Sequence, residues 1–163
     1  MEGWRGGYFS TFLDRIHEAG GDINETAGDG FLAIFQDADV CLHASTAVDT
    51  ALAFLAATAA LNQENSAHPL AIYMGLNSGI ALVGSTRFDG LRGTRWTFTA
   101  SGSVTNLAAR LASTAAAGQI LIGPETARRL QDRYRLARLG HEHLKNIAEA
   151  VDIYHVLGPA MET

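Results

Sequence analysis

A single cysteine, Cys41, occurs in 163 residues. It can form no internal disulfide, and no metal-binding or redox spacing surrounds it, so a cystine-stapled scaffold is excluded and a reducing compartment is expected. Long apolar runs are also missing. The longest, Ala51 to Leu61, has eleven residues where a bilayer-spanning helix needs roughly twenty. The start, Met-Glu-Gly-Trp-Arg-Gly-Gly, has no apolar h-region of a secretory signal. A cytoplasmic address with no membrane segment is the expectation. Basic charge is scarce: twelve Lys and Arg against seventeen Asp and Glu leave a net charge of −5. Such a surface does not wrap a nucleic-acid backbone, so phosphate binding must be local. The glycines between 84 and 93 fit neither the phosphate-binding P-loop pattern nor the dinucleotide Gly-x-Gly-x-x-Gly pattern. No internal repeat or low-complexity linker interrupts the chain.

What is present is an ordinary core-forming composition, 47% hydrophobic and 18% charged, at a length suited to one domain over residues 1–163. Apolar residues at 9, 12, 13 and 16 mark a helix with one buried stripe, closed by Gly20 and Gly21. Two strand-like runs, 22–28 and 31–35, flank Asp29-Gly30, a strong hairpin signal. The proline-free, Ala- and Leu-rich stretch 38–62 predicts the longest helix, with Asp37 or Asp39 as its cap. Strands are predicted at 70–76, 79–83 and 95–100, the last two joined across a Gly- and Arg-rich loop at 84–94. A helix at 103–114, a strand at 118–122, a helix opened by Pro124 and strands near 133–138, 141–146 and 151–157 complete an α+β order.

Several residues invite chemistry, each beside a plainer reading. Gly28-Asp29-Gly30 is good turn chemistry, and also a carboxylate at a hairpin tip where a hard oxygen can meet Mg²⁺. Asn106 and Arg110 stand four apart on a predicted helix and share a face, which solvent alone would also explain. Lys145 in isolation reads as an exposed lysine. His141 and His143 lack the further ligands of a metal site.

The ordered set is more specific than its parts. Ile23-Asn-Glu-Thr-Ala-Gly-Asp-Gly-Phe-Leu-Ala-Ile-Phe35, Met74-Gly-Leu-Asn-Ser-Gly79, Phe98 to Leu111, Gly118-Gln-Ile-Leu-Ile122 and His143-Leu-Lys-Asn-Ile-Ala-Glu149 resemble the class III adenylate/guanylate cyclase catalytic domain in order and spacing, over about residues 8 to 157. The most specific block is Gly-x-x-x-Asn-Leu-Ala-Ala-Arg-Leu at 102–111. The resemblance implies a ferredoxin-like α+β fold and a homodimer with the nucleotide between subunits. It also implies attack of the ribose 3′-OH on the α-phosphorus of ATP or GTP, giving the 3′,5′-cyclic monophosphate and pyrophosphate. In that scheme Asp29 binds Mg²⁺ or Mn²⁺ in a two-metal site, and Asn106 orients the ribose. Arg110 stabilises the α-phosphoryl transition state and Lys145 neutralises the terminal phosphates. Asn106 and Arg110 are expected to face the Asp29 and Lys145 region of a partner subunit.

Three departures accompany the resemblance. The family's other metal aspartate belongs to a first strand upstream of the hairpin, which this sequence does not contain, so the expected fold lacks that strand and half of the metal cage. A chain with half a cage is expected to turn over poorly or not at all, and the bare strand edge to be filled by its own N-terminal segment, by another chain, or by aggregation. Glu25 stands at the base-selecting position, as in guanylate-type members, and a carboxylate accepts the N–H donors of guanine. Thr99, at the second base position, looks like the bacterial adenylate type, so the pair is mixed. Ser103-Val-Thr replaces the family's usual Asp/Asn-Thr-Val, which alters the capping of that helix. Two classes of function stay open: a purine nucleotide cyclase, or a non-catalytic cyclase-like regulatory or dimerisation domain.

Overall fold

A computed structural model describes residues 2–27, 30–91 and 93–161. The elements are α1 (Glu2–Glu18), β1 (Gly21–Ala27), β2 (Gly30–Phe35), α2 (Val40–Glu64), β3 (Met74–Leu76), β4 (Leu82–Gly90), β5 (Gly93–Ser101), α3 (Ser103–Thr114), β6 (Ile120–Ile122), α4 (Pro124–Leu130), β7 (Tyr134–Glu142) and β8 (Val151–Pro159). One four-stranded sheet runs β3-β6-β8-β7, with β6 parallel to β3 and antiparallel to β8. Two antiparallel hairpins, β1-β2 and β4-β5, stand apart from it in hydrogen bonding. This mixed α+β arrangement is ferredoxin-like, and among the described residues neither β2 nor β3 has a hydrogen-bonded strand on its second side.

Strand alternation explains the layering. Along β6, Ile120 and Ile122 point to one face and Leu121 to the other. Ile120 and Ile122 join Ala44, Val48 and Ala51 of α2, Leu130 of α4 and Val156 of β8. Leu121 packs with Leu111 of α3, Leu144 and Ile153. The sheet is thus sandwiched between α2 and α4 on one side and α3 on the other. A third cluster joins Tyr8, Phe12 and Ile16 of α1 to Phe54 of α2 and to Phe31 and Phe35 of the β1-β2 hairpin. Of the α1 stripe predicted from the sequence, Phe12 and Ile16 make this contact, while Phe9 and Leu13 are half-buried and Tyr8 is buried in their stead. By length and composition α2 is apolar enough to cross a membrane. The eleven-residue apolar run understates it, because alanine and threonine extend the helix at little polar cost. Its Val48, Ala51 and Phe54 are nevertheless buried in the two clusters.

Asp39 is the α2 cap: its Oδ1 accepts from the N–H groups of Cys41 and Leu42 at 2.9 and 3.1 Å. Three predicted elements differ. The strand predicted at 70–76 shortens to β3, Met74–Leu76. The strands β4 and β5 extend through the supposed loop at 84–94 as far as Gly90 and Gly93, which pair with each other. The glycines read as breakers there, yet cross-strand hydrogen bonds hold the backbone whatever the local propensity. Arg87 and Arg95 consequently stand on strands rather than crowding a loop, and Arg92 lies outside the described residues. No separate strand forms at 141–146. β7 runs on to Glu142 past a register shift at Gly140, and the chain then turns through 143–150 before β8. Pairing with β8 ends at Val151, so the apolar Leu144 is buried by the α3 layer and not by a ladder.

Where α4 meets α2, Glu125 accepts from Arg128 at 2.6 and 2.9 Å and from Arg129 at 2.8 Å. These bonds hold its carboxyl well below the usual range, at about 2. Arg129 also lies 2.9 Å from His43 Nε2, and because guanidinium only donates, the imidazole there is the acceptor. Burial first, and then Arg129, lower the His43 pKa. Both shifts act in one direction. A depressed group stabilises the fold above its unfolded pKa and loses that contribution as pH falls towards its folded one. His43 therefore erodes stability below about 6.5, and Glu125 between about 4.5 and 2. In urea midpoints measured against pH, His43→Gln is expected to flatten the upper window and Glu125→Gln the lower. Parallel curves for all three proteins would refute the assignment.

Candidate nucleotide site

The site is built around the start of α3. Gly75 lets β3 and α3 touch backbone to backbone: a Cβ on it would lie 2.4 Å from the Ala108 carbonyl oxygen and 2.2 Å from the Ala112 nitrogen. Just beyond β3, the Asn77 side-chain amide donates to the Val104 carbonyl at 3.1 Å. A Cβ on Gly123, before α4, would come within 2.7 Å of Asn77 Oδ1. Strand end, helix start and the β6-α4 junction are therefore interlocked. Gly102 stands at the N-cap with φ +118° and offers no capping side chain, so the altered Ser103-Val104-Thr105 segment leaves the first-turn amides of α3 without a side-chain acceptor.

On this frame a cleft of about 350 Å³ opens between α3 and the β7-β8 turn. Asn106 and Leu107 border it from the helix, Asn146, Ile147 and Ala148 from the turn, and Asn77 from the end of β3. Lys145 immediately precedes Asn146 and is exposed. Arg110 is one helical turn beyond Asn106 and half-buried. Neither cation has an ion-pair partner among the described residues, whereas Arg128 and Arg138 are both paired. The turn carrying Lys145 meets α3 within one chain, where the sequence reading expected it from a partner subunit. The reason is tertiary: Leu144 and Ile147 pack against Leu111 and Leu107 of α3 and pull the turn onto the helix.

The two residues expected at the base positions lie on neighbouring strands. Glu25 is on β1, opposite Leu32 and just after a bulge, and Thr99 is on β5, opposite Gly84. β1 runs beside β5, and β5 leads through Gly102 directly into α3. Glu25, Thr99, Asn106 and Arg110 thus stand on adjoining elements of one chain. The side chains of Glu25 and Thr99 lie outside the described residues, as does the whole of Asp29. Among the described residues no three His, Cys, Asp or Glu side chains gather as a metal site. His141 is engaged elsewhere, with Nδ1 3.1 Å from Asp152 Oδ1. Sequence reasoning missed Asn77 and Asn146. Each sat inside a quoted motif, and the available signal was an asparagine at a turn, a residue that tolerates unusual backbone while offering both a donor and an acceptor.

The site is thus a cleft at the start of α3, on a ferredoxin-like sheet that α3 backs. The family described as the adenylate and guanylate cyclase catalytic domain matches residues 8–158, and the chain belongs to it. Among solved structures, the adenylyl cyclase CyaB from P. aeruginosa is 30% identical with a TM-score of 0.82, covering 94% of this chain and 80% of that one. The guanylyl cyclase Cya2 is 27% identical at TM-score 0.71, covering 94% and 78%. The guanylate cyclase domain of RhGC from Catenaria anguillulae, solved with GTP, is 22% identical at TM-score 0.77, covering 94% and 80%, and shows likeness of fold. A search of curated proteins found no match.

Proposed function

We propose that this chain is a purine nucleotide cyclase domain that converts ATP or GTP into the 3′,5′-cyclic monophosphate and pyrophosphate in intracellular signalling. The observation that carries the reading is the meeting of Asn106 and the Lys145 turn at one cleft, with Arg110 unpaired on the same helix. Unpaired cations beside a nucleotide-sized cleft suit a polyanionic substrate. In this reading Asn106 fixes the ribose so that its 3′-oxygen lines up with the α-phosphorus. That oxygen bonds to phosphorus and loses its proton, and the bond to the pyrophosphate oxygen breaks. Arg110 offers a planar fork of donors to the α-phosphoryl oxygens as charge builds on them. Lys145 meets the terminal phosphates as a point charge. A divalent ion, Mg²⁺ or Mn²⁺, held by Asp29, would neutralise phosphate charge when bound. The roles of Asn106, Arg110 and Lys145 do not pass through it.

A homodimer belongs to the same reading. Ile80, Leu82, Val83 and Leu91 expose apolar side chains on and around the β4-β5 hairpin, a surface suited to a second copy. The cytoplasm, with its triphosphates and reduced thiols, is the proposed setting. Formation of cyclic nucleotide from ATP or GTP with Mg²⁺ or Mn²⁺ tests the proposal. Nucleotide binding without any cyclic product would instead identify a regulatory or dimerisation domain.

Base choice is tested separately. Glu25 is proposed to accept from the N1–H and N2–H₂ of guanine, so GTP should bind more tightly than ATP, and Glu25→Lys should reverse the order. Mismatched hydrogen-bonding groups in a base pocket typically cost about tenfold or more. Competition binding of the two triphosphates to both proteins measures it, and equal affinities unchanged by the substitution would remove Glu25 from the pocket.

A further inference from the structure

Asn146 is one of two residues with positive φ that are not glycine among the described residues, at φ +63°. Glycine takes this left-handed backbone without steric cost, and asparagine is among the few side chains that tolerate it. Asparagine in such turns commonly uses its amide to bond the neighbouring backbone. Asn146 does not: it is exposed, and its side chain makes no hydrogen bond among the described residues where it borders the cleft with Asn106. Asn77 on the same cleft is committed, donating to Val104. Asn146 also follows the unpaired Lys145, and the cleft is bordered by Ser103 and Val104 of the uncapped first turn of α3, where backbone donors favour an anion.

We propose that Asn146 is a substrate-binding residue, its side-chain N–H₂ donating to a phosphate oxygen of the nucleoside triphosphate beside Lys145. The inference rests on the cyclase reading and adds a donor to the phosphate end of that site. The left-handed turn sets Asn146 on the rim of the cleft, exposed, with its amide bonded to no described residue.

The backbone conformation supplies a clean test, because Asn146→Gly removes the amide while easing the turn. Binding of GTP and ATP with Mg²⁺, and of guanosine and adenosine, is compared for the wild-type chain, Asn146→Gly and Asn146→Asp, together with their melting temperatures. Asn146→Gly is expected to melt no lower than wild type, to bind triphosphates about tenfold more weakly, and to bind nucleosides unchanged. Asn146→Asp is expected to weaken triphosphate binding further, since a carboxylate repels phosphate at the same spot. Wild-type triphosphate affinity in Asn146→Gly overturns the inference and leaves the cyclase reading intact, as does an equal loss for nucleosides and triphosphates. A folded wild-type chain that binds no triphosphate overturns both.

Discussion

Replacing Arg110 by alanine is expected to lower the rate of cyclic nucleotide formation by about 10²–10³ while changing KM little, the loss typical of removing one donor aimed at developing charge. Arg110 is free to act this way because no carboxylate claims it among the described residues, in contrast to Arg128 with Glu125 and Arg138 with Asp152. Arg110→Lys keeps the charge and loses the two-pronged geometry, so it should recover only part of the rate. Initial rates at saturating triphosphate, with KM measured alongside, decide the matter. Turnover by Arg110→Ala at the wild-type rate would sink the assignment, and a rise in KM alone would reduce Arg110 to a binding residue. The melting temperature should barely move, since the guanidinium makes no hydrogen bond among the described residues.

Gly75→Ala is expected to have the largest effect on stability. Its Cβ would fall 2.2 Å from the Ala112 nitrogen and 2.4 Å from the Ala108 carbonyl oxygen, and both are backbone atoms in the middle of a helix. No rotamer change relieves such a clash; α3 must move off β3. Overpacking of this kind costs about 3 kcal/mol or more, which in a domain of this size lowers the melting temperature by roughly 6–12 °C. The displaced helix carries Asn106 and Arg110, so nucleotide binding should weaken together with stability. Thermal unfolding of the variant checks the first effect and triphosphate binding at low temperature the second. A melting temperature within about 2 °C of wild type would show that β3 and α3 do not need this approach.

Local signals determined the elements that carry their own boundaries. The helix predicted at 103–114 is α3 residue for residue, because Gly102 before it and the recurrent apolar face within it act over one or two turns. Pro124 opens α4 for the same kind of reason, and of the two cap candidates Asp37 and Asp39 the structure uses Asp39 to start α2. The family was legible too, since five motif blocks keep their order in the linear chain. Tertiary structure decided whatever depends on a partner far away in sequence. Strand pairing extended β4 and β5 through glycines that looked like a loop, and the end of the β7-β8 ladder turned 143–150 into a loop that local propensity read as strand. Side-chain burial then drew that loop onto α3 through Leu144 and Ile147. This packing joins Asn106 to Asn146 across a cleft although forty positions separate them in the sequence. Periodicity reports which face of an element is apolar but not which other apolar face will cover it, and that choice brought the site's residues together.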